Sequence, residues 1–266
     1  MQAHYKSYLC TLFAILAVLF MFSFFTKKEF LVDHLEGFVD IHNHILPGID
    51  DGAKTVEESI ALIQEFAGFG VTKFIATPHI MHNYYPNNPE TINSSLVILK
   101  NELLKNGMKE ISLQASAEHM IDDNFEIILE EGKVMPIGQF HLLVEMSYLQ
   151  PSLNFKEAIE KVVSNNYFAI LAHPERYGFM HKQFKQYASY KKRGIHFQLN
   201  ILSLGDFYGK EIPKITHRLL DDHMIDFIAS DVHNMHQLNA LKELTISNKA
   251  LKHLIPIINN TIETFY

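Results

Sequence analysis

The stretch Asp40-Ile-His-Asn-His-Ile-Leu-Pro-Gly-Ile-Asp-Asp-Gly52 is the most informative part of this 266-residue chain. His42 and His44 lie two residues apart, so an extended strand places both imidazoles on one side. Asp50 and Asp51 follow on the next loop and bring two carboxylates towards them. Imidazoles and carboxylates together suit borderline divalent metals. The stretch therefore predicts one half of a metal site at the end of a strand.

Further apolar runs along the chain also end in ionisable residues. Each run is rich in Val, Ile, Leu, Phe or Ala, as buried strands are. The residues that end them are His79, Glu118, Glu145, His173, Asp231 and His233. Burying such groups is costly unless they are paired or bound to metal, so core packing alone would not produce this pattern. We expect a multinuclear metal site at one end of a barrel.

Helical patterns separate these strands. Residues 55–67 open with Thr55 as an N-cap, followed by acidic residues in the first turn. Further helices are predicted over residues 91–105, 154–164, 181–192, 210–222 and 239–251. Strands that alternate with helices favour an α/β fold with a parallel sheet, and polar strand ends favour a closed barrel with its site on that face. About seven strands can be counted, which predicts a distorted barrel one strand short of eight.

Composition supports one enzyme-sized domain over residues 27–266. The chain is 47% hydrophobic and 20% charged, and no linker or repeat divides it. A net charge of -7 and a pI near 6.1 give no electrostatic signature of nucleic-acid binding. The basic cluster Lys191-Lys192-Arg193 lies at a predicted helix end, where cations suit the helix dipole, and is interpreted as a solvated face.

The N-terminal segment 7–26 contains no charged residue. A helix of that length spans roughly 30 Å, the thickness of a bilayer core, and predicts a single transmembrane anchor. A signal peptide is less favoured because no small-residue cleavage site follows. Translation from Met21 is an equal alternative, which would remove most of the segment. In either case we expect a cytoplasmic catalytic domain, held at the inner membrane if residues 7–26 are an anchor.

Cysteine usage excludes one class of mechanism. The only cysteine is Cys10, so the globular part has no disulfide, thiolate ligand or thiol nucleophile. A thiol-based tyrosine phosphatase needs Arg six residues after its Cys, and here that position is Leu16. That class is excluded.

The motifs resemble those of the metal-dependent tyrosine phosphatases of bacterial capsule and exopolysaccharide operons, the CpsB/CapC-like branch of the PHP (polymerase and histidinol phosphatase) superfamily. The matching segments are 40–59, Ala76-Thr-Pro-His79, Ala172-His-Pro-Glu-Arg-Tyr177 and Ala229-Ser-Asp-Val-His-Asn234. The resemblance runs from about Phe38 to the C-terminus. It implies a distorted (β/α)7 TIM-like barrel and hydrolysis of phosphotyrosine on a bacterial tyrosine kinase that controls polysaccharide synthesis and export.

The resemblance also implies three divalent metal ions, commonly Mn²⁺, with Fe, Zn, Co or Mg as alternatives. Its ligand sets are His42, His44, Glu118 and Asp231 for one ion; Glu118, Glu145 and His173 for the second; and Asp51, His79 and His233 for the third. Such a cluster would activate water and offset phosphoryl charge. Two catalytic residues are predicted beside it. Arg176 would grip the phosphate, and Asp40 would be a ligand or would accept a hydrogen bond from a ligand imidazole.

Several residues keep open interpretations. A second arginine that some relatives carry after the last motif is replaced here by Met235-His-Gln, and the only arginines are Arg176, Arg193 and Arg218. Tyr84 and Tyr85 are candidates for a wall around the substrate ring, or are ordinary exposed loop aromatics. The remaining histidines, which include His34, His82, His119, His181, His217 and His253, are expected on the surface or in loops.

Two other functional classes remain open from the sequence. One is a PHP hydrolase of a small phosphate ester such as histidinol phosphate, or of a nucleic-acid end. The other is a binding protein that uses the cluster only structurally. An enclosed basic pocket would favour the small ester, whereas an open face suits a peptide. The sequence leaves oligomerisation open.

Overall fold

We describe residues 28–266 from a computed structural model. The apolar segment 7–26 and the alternative start Met21 lie outside these residues. Within the described part of the chain, no helix has both the length and the apolar character that crossing a bilayer requires.

The chain alternates short strands with helices. The strands are β1 (Lys28–Phe30), β2 (Val39–Asp40), β3 (Lys73–Ala76), β4 (His79–Ile80), β5 (Ser112–Ala115), β6 (Glu118–Met120), β7 (His141–Glu145), β8 (Phe168–Ala172), β9 (His196–Asn200), β10 (Phe227–Ala229) and β11 (Thr245–Ser247). The helices are α1 (Val56–Ala67), α2 (Pro89–Lys105), α3 (Phe125–Glu130), α4 (Phe155–Ser164), α5 (Gly178–His181), α6 (Lys185–Lys192), α7 (Ile212–Asp221), α8 (Met235–Lys242) and α9 (Asn248–Phe265). Short 3-10 turns cover Leu31–His34, Pro174–Arg176, Ile201–Leu204 and Asp206–Tyr208.

Parallel pairing confirms the α/β class. One sheet has the order β10-β9-β8-β7-β6-β4 and another the order β2-β3-β5, and every pairing in both is parallel. Only two residues separate β3 from β4, and only two separate β5 from β6, so each pair forms one bent strand position. A parallel bridge between Asn43 and Val232 links the ends of β2 and β10. Seven strand positions therefore follow one another in a ring, but they pair in two sheets and not as one continuous barrel wall.

Two apolar clusters hold this arrangement together. The smaller one is formed by inward-facing residues of the strands, among them Ile75, Leu143, Ile170 and Phe227, and Phe265 of α9 packs against it. The larger one lies between the strands and the helices. Because apolar side chains fill the interior, polar strand-end residues are left to gather at the carboxyl ends of the strands.

Capping residues set the helix starts. Thr55 accepts a hydrogen bond from the Glu58 amide, which confirms the predicted start of the first helix. The second helix begins two residues earlier than predicted, because Asn88 forms a capping box with Thr91 and Pro89 occupies the first turn. The predicted helix over 181–192 is interrupted and becomes α5 and α6.

The prediction of one helix over residues 239–251 is wrong. Asn234 caps α8 and Ser247 caps α9, each by accepting a hydrogen bond from a backbone amide three residues on. Between these helices the chain forms β11, which pairs antiparallel with β1. Two caps and one strand thus divide a segment whose apolar spacing resembled a single helix.

Candidate metal centre

Nine predicted metal ligands meet at the carboxyl ends of the strands. Glu118 begins β6, Glu145 ends β7, and His173 directly follows β8. Their nitrogen and oxygen atoms form four overlapping groups in which all donor atoms lie within 4.8 Å of one another. The groups are His44, Asp51, His79 and His233; His42, His44 and Glu118; His42, His173 and Asp231; and His79, Glu118 and Glu145. The structure therefore brings together all nine residues that were predicted from separate stretches of sequence.

His42 and His44 face each other at the centre of this cluster. Their Nε2 atoms are 3.3 Å apart. The strand that carries them is shorter than predicted, since β2 ends at Asp40 and the chain bends at His42. Backbone hydrogen bonds from Asp231 to the His42 carbonyl and from His44 to the Val232 carbonyl hold the bent segment against the last strand position.

Three imidazoles have one nitrogen bound to an acceptor and the other directed to the cluster. His42 Nδ1 lies 2.8 Å from Gln198 Oε1, and His44 Nδ1 lies 2.8 Å from Asp50 Oδ2. His233 Nδ1 lies 2.9 Å from the Asp231 carbonyl oxygen. Each acceptor requires the proton on Nδ1, so Nε2 is the nitrogen that can bind a metal ion once it carries no proton. Partners that fix the tautomer in this way are typical of metal-binding histidines.

Buried donor atoms without hydrogen-bond partners provide a test of metal fit. Among the described residues, Glu118 Oε2, Glu145 Oε1 and His79 Nδ1 are buried and form no hydrogen bond of regular geometry, although they lie in ion-pair contact with one another. His79 Nδ1 lies 3.0 Å from each of these two oxygen atoms. Buried polar atoms are normally satisfied, and a group of unsatisfied oxygen and nitrogen donors is what bound cations would complete. The residues therefore fit divalent metal ions.

The grouping of donors differs in part from the ligand sets that the resemblance implies. Asp51, His79 and His233 do group together, with His44 beside them. His173, however, groups with His42 and Asp231, and Glu145 groups with His79. Glu118 lies between these sets, because its Oε1 is 3.1 Å from His173 Nε2 and its Oε2 is 3.3 Å from His42 Nε2.

Two of the nine residues adopt left-handed backbone conformations. His173 has φ 34° and Asp231 has φ 51°, values that are uncommon for residues other than glycine. Ile170 and Ala172 belong to the smaller apolar cluster, so simple alternation would turn His173 to the opposite face of the sheet. The left-handed turn brings its imidazole back to the cluster. Such conformations cost free energy and concentrate at functional sites.

Gly52 allows the loop after β2 to close onto His44. A Cβ atom at this position would lie 2.0 Å from the His44 carbonyl oxygen and 2.5 Å from its Cβ. The neighbouring Ala53 amide donates to that same carbonyl at 3.0 Å. Only glycine permits this approach. The loop then delivers Asp50 to His44 Nδ1 and Asp51 to the far side of the cluster.

Mutual attraction between imidazoles and carboxylates shifts the pKa of both. Burial alone lowers the pKa of His44, but Asp50 and hydrogen bonds to Asp231 and Asp50 outweigh it and raise that pKa to about 10. Burial raises the pKa of Asp231, yet His42 and neighbouring histidines hold it well below its ordinary value. His233 differs, because burial and the nearby His44 lower its pKa to about 4. The cluster is therefore strongly charged when no metal ion neutralises it.

Arg176 lies beside the cluster, fixed between two aromatic rings. Its guanidinium carbon is 4.6 Å from the Tyr148 ring centroid and 4.0 Å from that of Tyr208. Nη1 donates to Asp231 Oδ2 at 2.7 Å, and Asn200 Nδ2 donates to the same oxygen at 2.8 Å. Within the described residues, the bond to Asp231 is the only hydrogen bond that the Arg176 guanidinium makes. Its other N–H groups therefore remain for an anion in the cavity.

Asp40 occupies a neighbouring position and contacts a different partner from those predicted. Its carboxylate accepts hydrogen bonds from the Ser230 amide at 2.9 Å and the Ser230 hydroxyl at 2.6 Å. Burial raises its pKa to about 6, against the opposing effect of these hydrogen bonds. Asp40 is absent from the four donor groups. Its hydrogen bonds fix the residue before Asp231, so its geometry suits a role in holding the site together.

The cluster and Arg176 open into a cavity of about 730 Å³, here called the site cavity. Its lining also includes Tyr84, Tyr85 and Tyr148. Tyr85 stacks on His79, with ring centroids 5.4 Å apart, whereas the Tyr84 side chain is 77% exposed at the mouth. Leu153, on the loop after β7, also lines this cavity and is 97% exposed. The mouth is therefore bordered by apolar side chains that a larger ligand can reach.

Some residues of the site were not predicted. Gln198 and Asn200 hold His42 and Asp231, and both lie on β9, which was not identified because its alternating polar residues weakened the apolar pattern. Their spacing of two was the available signal. His119, expected on the surface, is fully buried, where it accepts from the Met135 amide and bonds to the Leu143 carbonyl.

Comparison with known proteins identifies relatives over most of the chain. CapC of Staphylococcus aureus is 29% identical over 217 residues, which is 80% of this chain and 84% of that protein. The tyrosine-protein phosphatase YwqE of Bacillus subtilis is 26% identical over 208 residues, or 76% of this chain and 79% of that protein. The tyrosine-protein phosphatase CpsB of Streptococcus agalactiae is 28% identical over 206 residues, or 74% and 83%.

A solved structure has the same fold. It comes from work on YwqE of Bacillus subtilis and CpsB of Streptococcus pneumoniae, described as metal-dependent tyrosine phosphatases. It superposes with a TM-score of 0.75 at 24% identity, over 85% of this chain and 93% of the other. Residues 38–245 match the family described as capsular polysaccharide synthesis, CpsB/CapC. The chain is a member of the CpsB/CapC family.

Proposed function

We propose that this protein is a metal-dependent phosphotyrosine-protein phosphatase. One observation carries the proposal: a cluster of nine imidazole and carboxylate donors shares a cavity with Arg176, an arginine that has free donors for an anion. The tyrosine-protein phosphatases among its relatives support the same activity. The chemical steps below follow from the residues that line this cavity.

The nine donors would hold the metal ions. We infer three ions, commonly Mn²⁺, as the family resemblance implies, and the sharing of His42, His44 and Glu118 among the donor groups supports ions that lie close together. Nitrogen and oxygen donors without any thiolate suit Mn²⁺, Fe²⁺, Co²⁺ or Zn²⁺ better than softer metals. When bound, such ions supply Lewis-acid chemistry, which makes water a nucleophile near neutral pH and offsets phosphoryl charge.

Arg176 would bind and orient the phosphate. The rings of Tyr148 and Tyr208 prevent the guanidinium from swinging away, and the Asp231 carboxylate fixes its Nη1. A guanidinium held in this way loses little further freedom when it binds two phosphate oxygens. Its positive charge also favours the negative charge that develops during phosphoryl transfer.

An aryl phosphate suits this site for two reasons. A phenol with a pKa near 10 leaves with less protonation than an alkyl alcohol, so the site can act without a dedicated general acid. The exposed apolar side chains of Tyr84 and Leu153 line the cavity, where they can contact the residues around a phosphotyrosine. This open mouth favours a peptide over a small ester such as histidinol phosphate.

We further propose that the substrate is a phosphorylated bacterial tyrosine kinase that regulates polysaccharide synthesis. The description of the family as one of capsular polysaccharide synthesis supports this assignment. Such a kinase presents its tyrosines to the cytoplasm, and a chain whose only cysteine is Cys10 has no disulfide that would require an oxidising compartment. We therefore place the catalytic domain in the cytoplasm.

Metal removal and reconstitution test the mechanism. Protein treated with a chelator and then freed of it should hydrolyse no phosphotyrosine peptide, and added Mn²⁺ should restore the rate. Alkylation of thiols should leave the rate unchanged, because no described residue is a cysteine. Full activity in a preparation shown by elemental analysis to contain no metal would contradict the proposal.

A further inference from the structure

A second cleft adjoins the site cavity. It has a volume of about 920 Å³ and lies between α4 and the segment that contains α5 and α6. One short segment lines both spaces and forms a ridge between them: Pro151, Ser152 and Leu153. No other described residue lines both. A chain that lies in the site cavity can cross this ridge into the cleft.

The lining of this cleft is strongly basic. The five cationic side chains that line it are Lys156, Lys182, Lys185, Arg193 and Arg218. No Asp or Glu is among the described residues that line it. The whole chain has a net charge of -7, so the cleft is a local excess of positive charge on an acidic protein. We call this surface the basic cleft.

Most of this positive charge is not neutralised by neighbouring residues. Lys182 and Lys185 form no ion pair within the described residues, and both are exposed. Lys156 and Arg193 lie 3.7 Å and 3.9 Å from Glu160, and Arg218 lies 4.0 Å from Asp222, all in exposed pairs. Exposed pairs at such distances contribute little, so the cations remain available for another partner.

The floor of the cleft fixes part of this charge in place. The Phe155 and Tyr190 rings pack with centroids 4.6 Å apart. The Arg218 guanidinium stacks on the Phe184 ring, 3.5 Å from its centroid. A stacked guanidinium is held in a plane and matches carboxylate or phosphate oxygens. The cleft thus combines an apolar floor with a cationic rim.

All three arginines of the chain line one of these two spaces. The chain has three arginines; Arg176 lines the site cavity, and Arg193 and Arg218 line the basic cleft. The Lys191-Lys192-Arg193 cluster, interpreted from sequence as a solvated face, therefore contributes one member to a concave surface. Lys191 itself pairs with Asp226.

We propose that the basic cleft binds an acidic segment of the phosphoprotein substrate while a phosphotyrosine of the same chain occupies the site cavity. The bound groups are carboxylates or further phosphates on the residues that flank the phosphotyrosine. The proposal rests on the proposed phosphotyrosine phosphatase function. Charge complementarity and the shared ridge at 151–153 favour this partner.

Matched phosphopeptides and two charge-reversal variants test this role. One peptide carries neutral residues around its phosphotyrosine, a second carries acidic residues before it, and a third carries them after it. The Lys182→Glu/Lys185→Glu variant removes charge from the cleft. The Lys100→Glu/Lys210→Glu variant makes the same change in net charge at exposed lysines that do not line the cleft.

The wild type should prefer one acidic peptide over the neutral peptide in kcat/KM. The cleft variant should lose this preference by roughly tenfold, mainly through KM, and the control variant should keep it. Added salt should also weaken the wild-type preference, since salt screens exposed charges. A further peptide, in which phosphoserines replace the acidic residues beside the phosphotyrosine, distinguishes binding of flanking phosphates from binding of flanking carboxylates.

Equal loss of preference in the two variants, or no preference in the wild type, would overturn the proposal. If the wild type hydrolyses no phosphotyrosine peptide, the proposed function fails, and direct binding still tests the cleft. In that case fluorescence anisotropy with the unphosphorylated acidic peptides should give weaker binding to the cleft variant than to the control. Identical binding to both would contradict the cleft assignment.

Discussion

The carboxylate of Asp231 joins the arginine to the metal centre, because its two oxygens face different partners. Oδ2 accepts from Arg176 Nη1 at 2.7 Å, and Oδ1 lies 3.3 Å from His42 Nε2 and 3.4 Å from His44 Nε2. Asn200 also donates to Oδ2, so the carboxylate keeps a partner if the arginine is removed. Asp231 therefore fixes the position of the Arg176 guanidinium relative to the metal ligands His42 and His44.

Replacing Arg176 should separate phosphate binding from metal binding. Arg176→Ala removes a charge-assisted contact, which should lower kcat/KM roughly 10- to 150-fold. Metal content should stay at the wild-type level, because Asn200 still holds Asp231. Steady-state kinetics and elemental analysis of one preparation measure both. Lys100→Ala is the control for loss of an exposed cation that lines neither the site cavity nor the basic cleft, and wild-type kinetics for Arg176→Ala would refute its assigned role.

Gln198→Leu should weaken metal binding without removing a ligand. His42 Nδ1 would lose its acceptor at 2.8 Å, so the imidazole would no longer be held in the required tautomer. Loss of such a partner typically costs about 10- to 100-fold in metal affinity. Competition with a coloured chelator measures this affinity. Gln64→Leu, on an exposed position of α1, should bind metal as the wild type does, and equal affinities for all three proteins would argue against the orienting role.

Gly52→Ala should disturb the loop that carries Asp50 and Asp51. The added Cβ would meet the His44 carbonyl at 2.0 Å, so the backbone must move, at a cost of about 1–3 kcal/mol in the free energy of unfolding. Metal affinity should fall as well. Chemical denaturation and metal titration give the two values. Gly178→Ala, where an added Cβ meets nothing within 4 Å, serves as the control, and we expect it to be close to the wild type.

Metal uptake should release protons and should strengthen as pH rises. The pKa of His44 is raised to about 10, mainly by Asp50 acting against burial, and the pKa of His79 is raised well above its ordinary value, by Glu145 and Glu118 acting against burial. Both imidazoles therefore carry protons in the metal-free protein at neutral pH, and a metal ion must displace them. Apparent affinity should rise from about pH 6 to about pH 9. Titration calorimetry in buffers of different ionisation enthalpy counts the protons, and a count of zero would contradict this charge assignment.

Sequence patterns predicted the donor set because the donors lie at or just after the ends of six apolar runs. Parallel strands bring their carboxyl ends to one edge, so residues as distant as His42 and Asp231 could be placed together without any contact information. The nine donors do converge in the structure. Their division among individual ions did not follow from sequence, since it depends on distances of a few ångströms between side chains.

The parts that sequence could not supply are those set by local competition or by tertiary contacts. The left-handed backbone conformation of His173 could not be predicted, because the apolar run before it has the sequence pattern of a regular strand. The helix predicted over 239–251 is divided because Ser247 caps a new helix and β11 finds a partner in β1. Tyr148 and Tyr208 come from distant loops to enclose Arg176, and no spacing rule connects them.

Substrate preference is the most direct test of the central claim. The rates to compare are kcat/KM for a phosphotyrosine peptide, a phosphoserine peptide of the same sequence and histidinol phosphate, with one Mn²⁺-loaded preparation. An open apolar mouth and a site that favours aryl leaving groups predict that the phosphotyrosine peptide is hydrolysed fastest. An equal or higher kcat/KM for histidinol phosphate would contradict the account and assign the protein to the small-ester hydrolases.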